Sequence, residues 1–440
     1  MRRAGILALS LFLLLPGSGF CRQYILRANS LLVPIIALLN GLTVIAPLND
    51  PGHTLYLVSA PDGFLPDLLI PLVQSTLGVL GFELDNVASL PESGASVNQS
   101  TVGILDGLSV RTYTPFDGQN WWDTYLNQPA AGIINLPAAQ QIALGAGTVA
   151  VIDTGIDASH PALQNVVVAG YDFTRNQAGL ASDLADLSPI LALVLAQSST
   201  SLQNKAPTSV NSSTVALLDQ STVGILDGNL PEEFGHGTMV AGLIHRVAPG
   251  AKLMPLKAFG SNGTGRLSDI VRAIYYAANA RVNVINMSFS LTQPSLELYL
   301  ALSYANGRNI AAVASVGNGA SQTTVYPAGW GNLVEGVAST TDQDARSAFS
   351  NYGDSWVAVA APGEGLITTY PGNNYAVVSG TSFSAALVSG GSALLVGINP
   401  GIKPAVSRSA MTQTYAIPNQ GLGAGRIDLY QACGYALRVP

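Results

Sequence analysis

The sequence predicts an α/β protein with a doubly wound, mostly parallel sheet, preceded by a small α+β domain. From residue 148 onward, short continuous apolar strands alternate with helical patterns. Such strands are typical of a parallel sheet that helices cover on both faces. Residues 23–86 follow a shorter strand–helix–strand–strand–helix–strand order, which predicts a separate ferredoxin-like (βαββαβ) unit.

The larger part shows a regular order of predicted elements. They are strand 149–152, a helix from about 238, strand 252–258, helix 267–280, strand 284–287, helix 295–306 and strand 310–315. Functional sites in such folds lie at the carboxyl ends of the strands. The smaller part begins with a short apolar segment at 24–26. Predicted strands follow at 42–45, 54–58 and 79–84, and predicted helices at 30–39 and 65–77.

Residues 1–20 have the order of a secretory signal peptide. Two arginines precede the apolar run 4–15, which ends in Pro-Gly-Ser-Gly and is too short to span a bilayer. Cys21 raises the alternative of a lipoprotein, but Phe20 stands where a lipidation signal has a small residue. We therefore favour a plain leader and expect a secreted protein, either extracellular or at the cell surface or in the periplasm.

Composition shifts divide the rest of the chain. We assign 21–90 to the α+β domain, 91–120 to a polar linker and 121–440 to the larger domain, with a surface insertion rich in Ser, Gln and Asn at about 176–231. The apolar stretch 31–46 is interrupted by Pro34, Asn40 and Gly41, so we expect no stable membrane span.

The nine-residue sequence QSTVGILDG occurs twice, at 99–107 in the linker and at 220–228 in the insertion. We favour expansion of a short strand-forming unit in surface loops. The alternative is that the two copies pair with each other as β-strands and bridge the domains.

Composition excludes several classes of function. Only 10% of the residues are charged and the net charge is −7, so no basic patch predicts a nucleic-acid partner. The two cysteines, Cys21 and Cys433, offer neither a metal-ligand spacing nor a disulfide framework. We expect a monomer that is stabilised by packing.

Three polar clusters fall where such a sheet places functional residues. Asp153 directly follows a buried strand, His236 lies between two glycines at a helix start, and Ser382 begins a helix of small residues. Taken singly, an Asp at the end of a strand most often belongs to a turn, and a GHG sequence most often belongs to a loop. A Ser at the start of an apolar helix is most often an N-cap. Together they offer a carboxylate, an imidazole and a hydroxyl, which is the set for nucleophilic catalysis.

The motifs that contain these residues carry a resemblance to a known family. DTGID (153–157), GHGT (235–238) and GTSFSA (380–385), with VINMS (284–288) and VGNG (316–319), resemble the subtilisin-like serine peptidases from about residue 121 to the C-terminus. The resemblance implies a serine endopeptidase in which Ser382 is the nucleophile, His236 the general base and then acid, and Asp153 the group that orients the imidazole. Asn318 and the Ser382 N–H would form the oxyanion hole.

The resemblance also implies how substrate binds. A peptide would add as a β-strand between two segments, Gly263-Thr264-Gly265 and Ser288-Phe289-Ser290, with Gly317 in the wall of the S1 pocket. The walls at 288–290, 314–317 and 326–328 carry no charge, so we expect an apolar P1 side chain. Ser290 stands where the family usually has glycine, and its side chain would narrow the rim of the S1 pocket.

Departures from the family pattern bear on cofactors and maturation. Ala162 replaces a frequent acidic calcium ligand and the loop at 243–247 is short, so we expect no strong calcium site and no cofactor. The α+β domain resembles the family's inhibitory propeptide by pattern. This implies an intramolecular inhibitor and a processing point between about 84 and 118.

Two rival functions remain. A pseudoenzyme would keep the fold and hold peptides, but the intact set of Asp153, His236, Asn318 and Ser382 argues against it. A nucleotide-binding domain fits the bare α/β pattern, but the chain lacks a GxGxxG fingerprint or a phosphate-binding lysine loop after its first strand.

Overall fold

The computed structural model describes residues 22–60, 66–90, 103–104, 112–116, 119–188, 230 and 233–439. The chain divides into two compact units, Met1–Asp85 and Asn86–Pro440. The predicted leader, Cys21, most of the linker and the second QSTVGILDG copy lie outside the described residues.

The first unit has the predicted βαββαβ order. Its elements are β1 (Arg22–Ala28), α1 (Val33–Leu39), β2 (Thr43–Pro47), β3 (Leu55–Ala60), α2 (Pro66–Gln74) and β4 (Val79–Leu84). The strands form an antiparallel sheet in the order β2-β3-β1-β4. The register pairs Tyr24 with Leu84 and Leu26 with Phe82, so Tyr24 and Phe82 lie on one face, where their rings stack 4.9 Å apart.

The second unit contains the remaining described elements. The strands are β5 (Val87–Ser89), β6 (Gly103–Ile104), β7 (Tyr113–Phe116), β8 (Gln119–Trp122), β9 (Thr148–Asp153), β10 (Gly170–Asp172), β11 (Gln177–Gly179), β12 (Lys252–Lys257), β13 (Thr264–Arg266), β14 (Val284–Met287), β15 (Ala311–Ser315), β16 (Val334–Thr340), β17 (Val359–Pro362), β18 (Leu366–Tyr370), β19 (Asn374–Val378), β20 (Thr414–Tyr415) and β21 (Arg426–Ile427). The helices are α3 (Asp123–Leu126), α4 (Pro129–Ile133), α5 (Leu136–Gln140), α6 (His236–Val247), α7 (Leu267–Asn279), α8 (Leu296–Gly307), α9 (Thr381–Ile398), α10 (Pro404–Met411) and α11 (Leu429–Ala436), with a 3₁₀ helix at Asp183–Asp186.

Ten of these strands form one sheet, in the order β11-β10-β12-β9-β14-β15-β16-β17-β21-β20. Every pair from β10 to β21 is parallel, and only the outer strands β11 and β20 are antiparallel. This confirms the predicted mostly parallel sheet. The register pairs both Leu256 and Met287 with Ile152, so the carboxyl ends of β12, β9 and β14 lie side by side.

The central helix of the core is α9. Among the described residues it is the one helix long and apolar enough to cross a membrane, and 89% of that stretch is buried inside the protein. Small residues let α6 approach it closely, because a Cβ added at Gly390 would lie 2.6 Å from Cβ of Val247. Its hydrophobicity therefore reflects its place in the core.

Trp121 and Trp122 are packing residues of the second unit. Both are buried, and the Trp121 ring stacks on Tyr125 at 5.5 Å and on His245 at 4.7 Å. Burial lowers the pKa of His245 to about 3, so its imidazole is neutral. Neither ring nitrogen has a hydrogen-bond partner within the described part of the chain, which fits a packing role.

The first copy of the repeated nonapeptide is described only at Gly103–Ile104, as β6. It pairs antiparallel with β19, with Ile104 opposite Ala376. Because the second copy lies outside the described residues, pairing between the two copies stays a prediction.

The interior of the sheet holds the carboxyl group of Glu335. Glu335 on β16 is 2% exposed, and its Oε1 accepts no hydrogen bond from the described residues. Burial raises its pKa to about 8, although the charge of Arg408 opposes the shift. The native protein therefore holds this proton more tightly than the unfolded chain does.

We expect Glu335→Gln to remove a pH-dependent loss of stability. Because the folded pKa lies above the unfolded value, the free energy of unfolding of the parent falls as pH rises from about 4.5 to about 8. Measured by urea unfolding in a Ser382→Ala background, Glu335→Gln should be within about 1 kcal/mol of its parent at pH 5 and up to about 4 kcal/mol more stable at pH 9. The partly exposed Glu364→Gln serves as control, and a pH-independent difference would contradict the expectation.

Candidate active site

Asp153 ends β9 at the carboxyl edge of the sheet and is completely buried. Its backbone oxygen accepts the N–H groups of Ala258 and Phe259 at 3.0 and 3.2 Å, and its Oδ1 accepts the Thr154 N–H at 2.7 Å. These bonds hold both its backbone and its carboxylate in place. The predicted strand-end carboxylate therefore has a rigid support.

His236 begins α6 with its imidazole against this carboxylate. Its Nδ1 lies 2.7 Å from Asp153 Oδ1, and both side chains are buried. The flanking glycines are required sterically, since Gly235 has φ +84° and a Cβ on Gly237 would lie 2.1 Å from the Gly155 carbonyl oxygen. The GHG motif thus lets α6 begin in contact with the end of β9.

Ser382 lies in the first turn of α9, buried in the core. The next side chain, Phe383, has its ring 5.5 Å from the His236 ring, so the two helix starts are adjacent. The Ser288 hydroxyl donates to the Ser382 carbonyl oxygen at 3.1 Å, and Asn286 Nδ2 in turn donates to the Ser288 hydroxyl at 3.0 Å. The backbone of the serine is therefore fixed to the end of β14.

Asn318 lies beside the same helix start. Its Oδ1 accepts the Thr381 N–H at 3.0 Å and the Thr381 hydroxyl at 2.8 Å. These two bonds fix the orientation of the Asn318 side-chain amide. The structure therefore brings Asp153, His236, Ser382 and Asn318 to one edge of the sheet.

Asp183 is a site residue that sequence reasoning missed, because it lies in the segment interpreted as a surface insertion. It is 1% exposed, and its carboxylate accepts the Thr154 hydroxyl, the Thr238 hydroxyl and the Thr238 N–H. Thr154 follows Asp153 and Thr238 belongs to the GHGT motif. Burial raises the pKa of Asp183 to about 7, opposed by the charge of Lys257.

A buried lysine supports the same region. Lys257 Nζ donates to the carbonyl oxygens of Thr154 and Phe259 and to Asp186 Oδ2, the last at 2.8 Å. Its side chain is completely buried. Three acceptors satisfy the three donors of an ammonium group, which is what a buried lysine requires. No local signal in the sequence marks Asp186 as its partner, because the two residues are 71 positions apart.

The two segments predicted to bind substrate enclose a strand of the chain itself. In the second unit, β5 pairs antiparallel with β13, with Ser89 opposite Thr264 and Ala88 opposite Gly265. Ser89 also forms an antiparallel bridge to Ser290 on its other side. Residues 87–90 therefore lie as a third strand between the two segments, where the resemblance places a substrate peptide.

The remaining predicted substrate residues line the same groove. Phe289 is buried against Phe259, with ring centroids 5.2 Å apart. Gly317 has φ +92° and donates its N–H to Thr381 Oγ1 at 3.2 Å. Leu291 exchanges backbone hydrogen bonds with Tyr326 at 2.7 and 2.9 Å, which brings the predicted walls at 288–290 and 326–328 together.

The described residues contain no group of three or more His, Cys, Asp or Glu side chains that could hold a metal ion. Asp157, the last residue of DTGID, instead accepts the backbone N–H groups of Ser159 and Gly372. The expectation that a strong calcium site is lacking stays a prediction.

Comparison with known proteins identifies a family for the larger unit. The model of the subtilase family, Peptidase_S8, matches residues 146–431. Thermitase from Thermoactinomyces vulgaris is 32% identical over 317 residues, which is 69% of this chain and 94% of thermitase. The thermophilic serine proteinase of Bacillus sp. (strain AK1) is 34% identical over 292 residues, and the match spans 65% of this chain but only 61% of that protein.

A solved structure has the same fold. Fervidolysin from Fervidobacterium pennivorans, a keratinolytic enzyme related to subtilisin, matches with a TM-score of 0.66 and 22% identity. The match covers 96% of this chain and 61% of fervidolysin. At this identity the likeness supports the fold alone.

We expect Asp183→Ala to destabilise the second unit by about 3 kcal/mol, because it leaves a buried N–H and two hydroxyl groups without their acceptor. Asp183→Asn keeps a carbonyl oxygen at the site and should cost less than half as much. Urea unfolding at pH 5 in a Ser382→Ala background measures both. The exposed Asp342→Ala is the control, and an Asp183→Ala loss no larger than the control would contradict the bracing role.

Proposed function

Because the chain belongs to the subtilase family of serine-type endopeptidases, we propose that it hydrolyses peptide bonds in proteins through an acyl-enzyme, with Asp153, His236 and Ser382 as catalytic triad. The observation that carries this proposal is the 2.7 Å contact between His236 Nδ1 and Asp153 Oδ1, in a buried site beside the first turn of α9.

The proposed chemistry follows from the acidity of a serine. A neutral hydroxyl is a weak nucleophile, so His236 Nε2 takes the Ser382 proton as Oγ attacks the scissile carbonyl carbon. Asp153 holds the Nδ1–H and stabilises the imidazolium that forms. The proton then passes to the leaving amine, the acyl-enzyme remains, and water reverses the sequence to release the acid.

The charge that develops on the carbonyl oxygen needs donors. The Asn318 amide and the Ser382 N–H are the proposed oxyanion hole. Support comes from the two Thr381 donors that bind Asn318 Oδ1 and so hold its Nδ2 in a fixed orientation. The positive end of α9 adds a favourable field at the same point.

Substrates are proposed to bind as an added strand along Gly263–Gly265 and Ser288–Ser290. The antiparallel pairing of β5 with these segments supports this mode, because it uses the same backbone groups. Because this binding mode uses backbone groups of the substrate, we expect the enzyme to accept a broad range of substrate sequences. The uncharged walls favour an apolar P1 side chain.

The maturation and location of the protein are also proposals. Residues 1–20 direct secretion, and the βαββαβ unit acts as a propeptide that inhibits the site until the chain cuts itself. The βαββαβ order of the first unit and the strand Val87–Ser89 in the groove of the second support the zymogen. We propose that the enzyme is monomeric, needs no cofactor and lacks the strong calcium site that is usual in the family.

The test is Ser382→Ala. Wild type should hydrolyse casein and convert the full-length chain to a shorter form, whereas Ser382→Ala should do neither, because the nucleophile is gone. Ser392→Ala on the same helix is a matched control, since the Ser392 hydroxyl makes no hydrogen bond among the described residues. If folded wild type cuts neither casein nor itself, the peptide-binding alternative replaces the proposal.

A second substitution tests the oxyanion hole. Asn318→Ala should lower kcat by a factor of about 10² to 10³ with little change in KM, since the lost hydrogen bond matters most in the transition state. Steady-state hydrolysis of a chromogenic peptide measures both constants. The exposed Asn332→Ala is the control, and a change confined to KM would contradict the assignment.

A further inference from the structure

A cleft opens at the amino edge of the ten-stranded sheet, opposite the edge that carries the candidate active site. Its volume is about 210 Å³, which leaves room for several water molecules or for one small ligand. Its walls come from the residues that lead into β14 and β15, from the second half of α9, and from the start of α10 with the loop before it. All of these elements belong to the second unit.

Two arginines stand side by side at the opening of this cleft. Arg281 and Arg308 each lie three residues before Val284 and Ala311, which are directly paired in the sheet. Both arginines are exposed and line the cleft, and neither forms an ion pair with a residue that the structure describes. The Arg308 guanidinium lies 4.6 Å over the Tyr304 ring. Such stacking leaves the N–H groups on its edge able to donate.

The buried wall of the cleft holds two hydroxyl groups that lack a partner. Ser407 in the first turn of α10 and Ser392 on α9 both line the cleft and are each 1% exposed. Neither hydroxyl makes a hydrogen bond with the part of the chain that the structure describes. A hydroxyl that loses water without gaining another partner costs free energy. A ligand with acceptor oxygens would supply the missing bond.

The groups around the cleft favour an anion as that ligand. None of the described residues that line it is acidic, whereas the two arginines carry permanent positive charges. The positive end of α10 adds a favourable field, because residues 400–402, just before this helix, also line the cleft. The donors come from two loops and a helix, which suits the several oxygens of a phosphate group.

We propose that this cleft binds a small oxyanion of the phosphate class, held by the guanidinium groups of Arg281 and Arg308 and by the Ser407 hydroxyl. The anion accepts the hydrogen bond that Ser407 lacks and neutralises the two charges at the opening. Because the cleft lies at the other edge of the sheet from the proposed triad, the site takes no part in peptide hydrolysis. The bound anion stabilises the folded second unit by mass action.

Inorganic phosphate is the probe that tests this proposal. Titrated at constant ionic strength into the full-length Ser382→Ala protein and followed by calorimetry, it should bind saturably with one phosphate per chain. Ser407→Ala should weaken binding about fivefold, because one hydrogen bond is lost. Arg281→Ala combined with Arg308→Ala should weaken it about a hundredfold, because charge-assisted bonds are stronger. Arg438→Ala, an exposed arginine that does not line the cleft, is the matched control and should bind as the parent does.

The Ser407→Ala variant keeps the test decisive even if the arginine substitutions disturb folding. It removes a hydroxyl without a partner and so breaks no hydrogen bond of the described residues. The proposal is overturned if phosphate does not bind saturably, or if Ser407→Ala and the double arginine variant bind as tightly as the parent. It is also overturned if the arginine substitutions lower thermal stability equally with and without phosphate. That result is expected if the arginines only compensate the negative carboxyl ends of α7 and α8.

Discussion

The buried contact between Asp153 and His236 is the constraint on which the rest of the site depends. A carboxylate and an imidazole placed out of water need compensating hydrogen bonds, because the interior screens charge poorly. The Thr154 N–H bonds to the carboxylate, and Gly237 must be a glycine because a Cβ there would overlap the end of β9. The fold therefore brings a strand end and a helix start closer together than most side chains would permit.

The support for this contact is itself charged. Asp183 joins Thr154 to Thr238, and Lys257 joins the Thr154 carbonyl to Asp186, so a buried carboxyl group, a partly buried carboxylate and a buried ammonium lie beside the candidate site. Such groups are expensive to bury and strongly destabilising to leave unpaired. Here these groups fix the local structure, since each holds the backbone next to a candidate site residue in place. Glu335 shows the opposite case, a buried carboxyl whose cost is avoided by keeping its proton.

The groove of the second unit is occupied through backbone bonds alone. The strand Val87–Ser89 pairs with Thr264–Arg266 on one side and bridges Ser290 on the other, which are the segments proposed to bind a substrate strand.

The sequence by itself determined the fold class, and it singled out the candidate site residues. Short apolar strands that alternate with helical patterns indicate the parallel sheet, and the strand–helix–strand–strand–helix–strand order indicates the first unit; both are local properties of the chain. In the motifs at Asp153, His236 and Ser382, adjacent glycines and small residues permit the backbone conformation that the site needs. These motifs too could therefore be identified from the local sequence. Tertiary structure alone decided that Asp183 lies under the site, that Asp186 pairs with Lys257 and that residues 87–90 occupy the groove. Those contacts join residues far apart in the chain, and only packing selects the partner of a buried charge or of an open strand edge.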